Sequence, residues 1–408
     1  MIFILLSIAL HLSDGANILI HNPTIGQSHI RFLGNMADTL SRAGHNVTVL
    51  SVEIDPLLHP FGTQERNVHK IHVPVNTDPE LYREIHTNIQ NVWSDKEIKP
   101  FQLKEFELFF DSLMDAYKVI LNNGTLMDSL KNSKFDVAIH EYYEIGSVAL
   151  MEAFGISKTI LASAIGDVAP YTYDITGIPT FTSFVPIWAT IYDDQMGFWE
   201  RVDNMEKTYE LRRFSVKMEA KVQEVFEQYI PKNTDIRTLF LKKSGMILAN
   251  VNEFTQTPRP ISSMIQFVGG GHLYPTKPLK KELSDLLNER KYNVLFSLGT
   301  FVRICESPIQ IKKLFAEAFS SLKDVTFIVK YENCTSNSFD FNSYENIVAK
   351  TWLPQTDLLG DDRIHLFITH GVKVGSTLMI DRRFISKEHL ADSIRSLLDS
   401  QKYLFLVK

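Results

Sequence analysis

The sequence predicts an α/β protein built from two parallel-sheet domains. Three observations carry this. Near the N-terminus, ANILIH, SHIRFLGNMADTLSRAGH and NVTVLSV follow one another with short links. Strand, helix, strand in that order makes a parallel pair. A second run of strand and helix patterns begins at Asn293. Between the two runs, FVGGGHLYPTKPL (Phe267–Leu279) carries three consecutive glycines and two prolines and reads as a linker. A chain of 408 residues also fits two cores better than one.

In the first unit, Ile30, Leu33, Met36, Ala37 and Leu40 have helical spacing, and Gly44 supplies a helix stop. Lys104–Leu130 reads as an amphipathic helix, Phe135–His140 as a buried strand, Ile145–Phe154 as a helix and Ser157–Ala162 as a strand. Residues Tyr171–Trp199 are rich in Pro, Gly, Thr and aromatics, the composition of a long irregular region that shapes a binding cleft. A charged helix over Glu200–Tyr229 and a strand at Met246–Asn250 follow. The second unit reads as strand Asn293–Ser297, helix Pro308–Leu322, and strands Val325–Lys330, Asn346–Lys350 and His365–Thr369. The expected domains are therefore 16–266 and 293–408, joined by a linker over 267–292.

Composition narrows the function classes. The chain is 44% hydrophobic and 22% charged, an ordinary globular profile. Its net charge is −6 with no basic run, which argues against nucleic acid as a partner. Its two cysteines, Cys305 and Cys334, exclude a disulfide-rich scaffold, and no metal-ligand spacing accompanies them, so no metal is expected. MIFILLSIALHL followed by SDGA reads as a signal peptide over residues 1–15; the alternative is a buried first strand. Three N-x-[ST] sequons suit a secretory route. Asn46 enters a strand, so Asn123 and Asn333 are the candidate glycosylation sites. No second apolar run is long enough to span a membrane.

The strongest motif is TWLPQTDLLGDDRIHLFITHG, Thr351–Gly371. Trp352 precedes a short helix, and a flat indole suits stacking on a nucleobase. Gln355 offers a donor and an acceptor to a base edge. His370 and Gly371 follow a strand, where backbone N–H groups at a helix start can hold a diphosphate. Ser297, Gly299 and Thr300 lie at another strand end of the same domain, the edge where open α/β sheets bind ligands. Singly, a Trp-x-Pro reads as core and a Thr-His-Gly as a turn. Their order with FSLGT, VGGGHLYPTKPL and the early GQSH…GHNVTVL changes that reading. From Asn17 to Thr377 the chain resembles the UDP-glycosyltransferase family, of the lumenal, glucuronosyltransferase-like kind.

That resemblance implies a GT-B fold, two facing Rossmann-like domains. It implies transfer of glucuronic acid or glucose from a UDP-sugar to a hydroxyl of a small lipophilic acceptor, with inversion. UDP-sugar would be a co-substrate, and no cofactor is implied. Trp352, Gln355, Ser297, Gly299, Thr300, His370, Gly371 and the Gly375-Ser376 turn would form the donor site. In the family, a His at the position of His29 is the general base. A carboxylate after the fourth strand orients it, which here is Glu141, where many members carry the shorter Asp. His21, His140 and Glu144 lie near these elements and receive no assignment. After Thr377 the family pattern stops: the Glu and the Asp-Gln pair that read the sugar are absent. The second domain is therefore expected to be incomplete, by internal deletion and an early stop. Full-length relatives are membrane-anchored, whereas this chain is expected in the endoplasmic reticulum lumen or secreted. One rival is an inactive lumenal binding or regulatory partner, in an oligomer with full-length family members. A dinucleotide-binding Rossmann enzyme is the other, and PTIGQSH stands where its GxGxxG turn should be.

Overall fold

The computed structural model describes residues 15–75, 77–90, 103–165, 176–187, 190, 192, 194–253, 257–270, 276–299, 303–332, 339–369 and 385–400. All of the expected leader but Gly15, and Thr300, His370, Gly371, Gly375, Ser376 and Asn333, lie outside them. The chain divides into two compact units, Met1–Tyr82 with Pro100–His272, and Arg83–Lys99 with Leu273–Lys408.

The first unit opens with β1 (Asn17–His21), α1 (Gln27–Arg42), β2 (Asn46–Val52) and β3 (His69–Val73). Then come α2 (Pro79–Gln90), which runs across the division between the units, α3 (Leu103–Asn122), α4 (Gly124–Asn132), β4 (Val137–Glu141), α5 (Ile145–Ala153) and β5 (Thr159–Ser163). It closes with α6 (Phe198–Val225), α7 (Ile236–Lys243), β6 (Ser244–Ala249) and β7 (Ile265–Phe267). Its sheet is parallel throughout, in the order β3-β2-β1-β4-β5-β6-β7. Ile18, Leu19 and Ile20 are all buried, as befits a strand covered on both faces. Ile18 and Ile20 meet Phe32, Leu33 and Ala37 of α1 in one core. The chain runs outward from β1 to β3, then returns to the other side of β1 as β4. That reversal makes the carboxyl edge between β1 and β4 the switch point, where such sheets bind ligands.

The loop after β2 fixes α1 against this edge. Asn22, just past β1, donates its side-chain N–H to Ile30 O (3.0 Å) and Phe61 O (2.9 Å). Buried Asp38 accepts from the Thr63 hydroxyl and from the Gln64 and Glu65 backbone N–H groups. The contact needs glycine on both sides. A Cβ on Gly34 would stand 2.2 Å from Gly62 C, and Gly62 has φ +65° and rests on Ile30 O.

The second unit holds α8 (Lys281–Leu286), β8 (Tyr292–Phe296), α9 (Ile309–Ser321), β9 (Val325–Lys330), β10 (Ile347–Lys350), α10 (Gln355–Leu359), β11 (Leu366–Ile368) and α11 (Lys387–Asp399). Its sheet is also parallel, ordered β10-β9-β8-β11. Phe296, Phe315, Phe319 and Phe327 build the core on one face, with Phe319 stacked on Phe327 at 4.2 Å. Leu390 and Ile394 of α11 join that core. Ser386 caps α11 by accepting from His389 N–H (3.1 Å). Arg395 grips Asp324 with both terminal nitrogens. Leu295, Ile328, Leu353 and Leu358 pack on the other face. Among the described residues β11 is an edge strand, and it is only half-buried.

Several elements differ from the sequence expectation. Lys104–Leu130 is not one helix, because Asn123 interrupts it and caps α4 by accepting from Leu126 N–H (3.1 Å). Strands β3 and β7 have no expected counterpart; β3 is mostly exposed along HKIHV, so it lacks a hydrophobic run. Within 267–292, Phe267 ends β7 and α8 takes up Lys281–Leu286.

Gly34→Ala forces backbone apart and is expected to lower unfolding free energy by about 1–3 kcal/mol. Gly124→Ala, where an added Cβ meets nothing within 4 Å, is expected to stay within about 0.5 kcal/mol of wild type. Denaturant titration of both variants checks this; equal stabilities would mean the α1 contact is slack.

Candidate active site

Sequence places His29 on the first turn of α1, directly after the loop that leaves β1. Glu141 is the last residue of β4, the neighbour of β1. The switch point thus brings together two residues 112 positions apart. His29 Nδ1 lies 3.2 Å from Glu141 Oε2, with Glu141 fully buried and the His29 side chain 17% exposed. This close approach sets the imidazole directly beside the carboxylate. Glu141 Oε1 accepts from Ala164 N–H at 2.8 Å, just past β5, which fixes the carboxylate.

Electrostatics at His29 are a contest. Burial is the largest influence and disfavours the imidazolium; Glu141, by charge and hydrogen bond, and Glu144, by charge, favour it. The carboxylates win, and the His29 pKa stands above its ordinary value. Such a group stabilises the fold most fully below the ordinary imidazole range. That contribution is lost as pH rises through the raised value.

Sequence reasoning missed the rest of the neighbourhood. The Tyr143 hydroxyl is 3.4 Å from His29 Nδ1, and the two rings meet edge-on at 5.5 Å. Burial first, then Glu141 and Glu144, push the Tyr143 phenol well above its ordinary range, so it stays protonated. His21 Nδ1 faces Glu144 Oε2 at 3.1 Å, with both side chains fully buried. The run EYYE at the end of β4 contained this signal, but only the fold shows which imidazole each carboxylate meets.

The described donor-site candidates of the second unit gather at the carboxyl edge of its sheet. Ser297 is buried after β8 and donates its N–H to Ile368 O at 3.0 Å. Gly299 takes φ +80°, a conformation that favours glycine, and its carbonyl accepts from Lys330 Nζ at 2.6 Å. Lys330, also missed, ends β9 and pairs with Glu332 at 2.8 Å. Trp352 lies two residues beyond β10 and is 64% exposed, so its indole is not core. Gln355 opens α10 and donates its N–H to Leu353 O at 2.8 Å. Strands β10 and β8 flank β9, so the Trp352 and Ser297 strands are about 10 Å apart. Among the described residues no group of three or more His, Cys, Asp or Glu could hold a metal ion. No described helix is long and apolar enough to cross a membrane.

Two parallel sheets with sites at their carboxyl edges define a Rossmann-like class, and comparison with known proteins gives the family. The sequence model of UDP-glucoronosyl and UDP-glucosyl transferase matches residues 19–379, and the chain belongs to that family. UDP-glucuronosyltransferase 3A1 of Bos taurus is 28% identical over 365 residues, spanning 88% of this chain and 67% of that protein. UDP-glucuronosyltransferase 3A2 of Homo sapiens is 26% identical, spanning 88% and 67%. Among solved structures, the glycotransferase of kitacinnamycin superposes with TM-score 0.61 at 14% identity, covering 96% of this chain and 93% of that one. Phytolacca americana UGT2, complexed with UDP-2fluoro-glucose and pterostilbene, gives 0.57 at 12% identity, covering 97% and 93%. The fold is GT-B, and the family is one of glycosyltransferases that use UDP-sugars.

Glu141→Gln keeps an oxygen for Ala164 N–H and removes the charge beside His29. The expected outcome is a His29 titration midpoint below the wild-type value, read by NMR of the ring signals. An unmoved midpoint would show that Glu141 does not govern the imidazole.

Proposed function

We propose that this chain moves a sugar, glucuronic acid or glucose, from a UDP-sugar to a hydroxyl of a small lipophilic acceptor. The observation that carries the reading is the His29–Glu141 pair at 3.2 Å on the switch-point edge. With Nδ1 turned to Glu141, Nε2 is the nitrogen that takes the acceptor proton. The acceptor oxygen then forms its bond to the anomeric carbon. The bond from that carbon to the β-phosphate oxygen breaks, and UDP leaves with the electron pair. Attack opposite the leaving group inverts the anomeric centre. Glu141 stabilises the imidazolium that forms, as a carboxylate does behind any histidine base. Trp352 stacks on uracil, Gln355 meets its edge, and Ser297 and Gly299, with Thr300, His370, Gly371 and the Gly375-Ser376 turn, hold the diphosphate and sugar. The complex of the Phytolacca americana protein with UDP-2fluoro-glucose and pterostilbene supports a UDP-sugar donor and a lipophilic acceptor.

A second reading is a non-catalytic lumenal partner of full-length relatives. It is favoured by the family match ending at residue 379, just after the sequence loses the sugar-reading Glu and Asp-Gln. The two readings separate on transfer. His29→Gln is expected to lower transfer about 10²–10⁴-fold and to leave UDP binding intact, by activity assay and calorimetry. Trp352→Ala is expected to weaken UDP binding by about 1–3 kcal/mol, the usual worth of an aromatic under a base. UDP binding without any transfer by the unmodified chain would favour the partner reading.

A lumenal or secreted setting is supported by Cys305, which is disulfide-bonded, since such bonds persist in oxidising compartments. It is supported as well by exposed Asn123, whose Oδ1 caps α4 while the amide nitrogen remains for a glycan. Asn123→Gln is expected to remove one glycosidase-sensitive step in gel mobility from protein made in a secretory host. No change would exclude that site.

A further inference from the structure

The imidazole of His29 has close neighbours on two edges. On one, an added Cβ at Gly26 would stand 3.2 Å from His29 Cδ2, so a glycine leaves room for the ring there. On the other, Nδ1 meets two oxygens: Glu141 Oε2 at 3.2 Å and the Tyr143 hydroxyl at 3.4 Å. The Tyr143 ring stands across the imidazole at 85°, with centroids 5.5 Å apart. Tyr143 belongs to the turn that leaves β4, and packing fixes that turn. Tyr142 N–H donates to Ala162 O at 2.9 Å, and Glu144 N–H to Glu141 O at 3.4 Å. The Tyr142 ring is buried and meets the Tyr143 ring edge-on at 5.7 Å. The half-buried phenol is thus carried to Nδ1 by its neighbours. It brings no charge, since burial first, and the carboxylates of Glu141 and Glu144 after it, keep it protonated. A neutral imidazole carries its proton on Nδ1 or on Nε2. While the ring faces Glu141, a bare Nδ1 would set its lone pair against the carboxylate, so the proton belongs on Nδ1. The phenol oxygen is then a second acceptor for that N–H.

We propose that Tyr143 is a positioning residue for His29: its hydroxyl accepts from Nδ1–H beside Glu141 and its ring bars rotation of the imidazole, so that Nε2 stays the bare nitrogen that takes the acceptor proton. This rests on His29 being the base, and Tyr143 acts through it. The two partners of Nδ1 do different things. Glu141 supplies charge and favours the Nδ1–H form only while the ring faces it. Tyr143 is neutral and keeps the ring facing. Without the phenol the imidazole swings away from the carboxylate, both nitrogens share the proton, and the fraction of rings with a bare, directed Nε2 falls.

The test reads the ring nitrogens of the full chain by ¹⁵N NMR, above the His29 midpoint, with the His29 signals assigned by their loss in His29→Gln. In wild type, Nδ1 is expected to be protonated and Nε2 bare. Tyr143→Phe keeps the ring and removes the hydroxyl; both nitrogen signals are expected to move toward the average of the two forms, and further in Tyr143→Ala. The His29 midpoint falls less in Tyr143→Phe than in Glu141→Gln, because no charge is removed. Where transfer is measured, kcat falls about 2- to 10-fold in Tyr143→Phe, the usual worth of one hydrogen bond, and KM for the UDP-sugar holds. Wild-type nitrogen signals in folded Tyr143→Phe overturn the proposal. So does a midpoint fall as large as that in Glu141→Gln, which would mean that the carboxylate itself had moved. A bare Nδ1 in the wild-type protein overturns it without any variant, since the phenol would then be the donor. Failure of the base assignment is separately visible, because His29→Gln would then keep full transfer whatever the nitrogen signals do.

Discussion

Glu141 has no exposed surface, and a carboxylate taken wholly out of water must be answered by donors or by a cation. Two parts of the chain answer it, from opposite sides. Ala164 N–H, just past β5, holds one oxygen at 2.8 Å. His29, at the start of α1, faces the other at 3.2 Å. Both require the carboxylate to sit at the end of β4 and α1 to begin where it does. The Asn22 amide and the Gly34–Gly62 contact enforce that start, by tying α1 to the loop after β2. The packing of apparently remote glycines and the proton affinity of one imidazole are therefore parts of one constraint.

The second unit solves a different problem. It presents neutral surfaces and backbone groups rather than a buried charge pair. Trp352 stays exposed because Leu353 beside it is buried among Leu295, Ile328 and Leu358, anchoring the turn while the indole faces outward. Gly299 can bend at φ +80° because Lys330 holds its carbonyl at 2.6 Å and Glu332 holds Lys330. An exposed indole and a tight backbone turn thus rest on ordinary core packing.

Legibility followed the range of the signal. Strands β1, β2, β4, β5, β8 and β9 are short apolar runs bounded by polar residues, and the sequence places each within a residue or two. Strand β3 alternates poorly and is mostly exposed, so its identity comes from pairing with β2 rather than from its own residues. The Asn123 break within Lys104–Leu130 was visible as Asn-Asn-Gly, but the apolar spacing on either side overrode it. His29, Glu141, Trp352, Gln355, Ser297 and Gly299 can be singled out as candidates because they sit in linear motifs at strand ends. His21 and Glu144 cannot, since 123 positions separate them and neither belongs to a motif. Lys330 closes an apolar strand, where a cation reads as the beginning of solvent.

Glutamate rather than aspartate at position 141 has a physical consequence of its own. The carboxylate must bridge from the end of β4 to the backbone of the chain leaving β5 and to a ring on α1. A side chain one methylene longer spans that distance while leaving β4 in unbroken register with β1 and β5. The longer side chain also has one more torsion to restrain, and that is the part played by Ala164 N–H. Without that donor, Oε1 would be left without a partner in the interior. The fixed backbone donor is what holds the longer side chain in place beside the His29 ring.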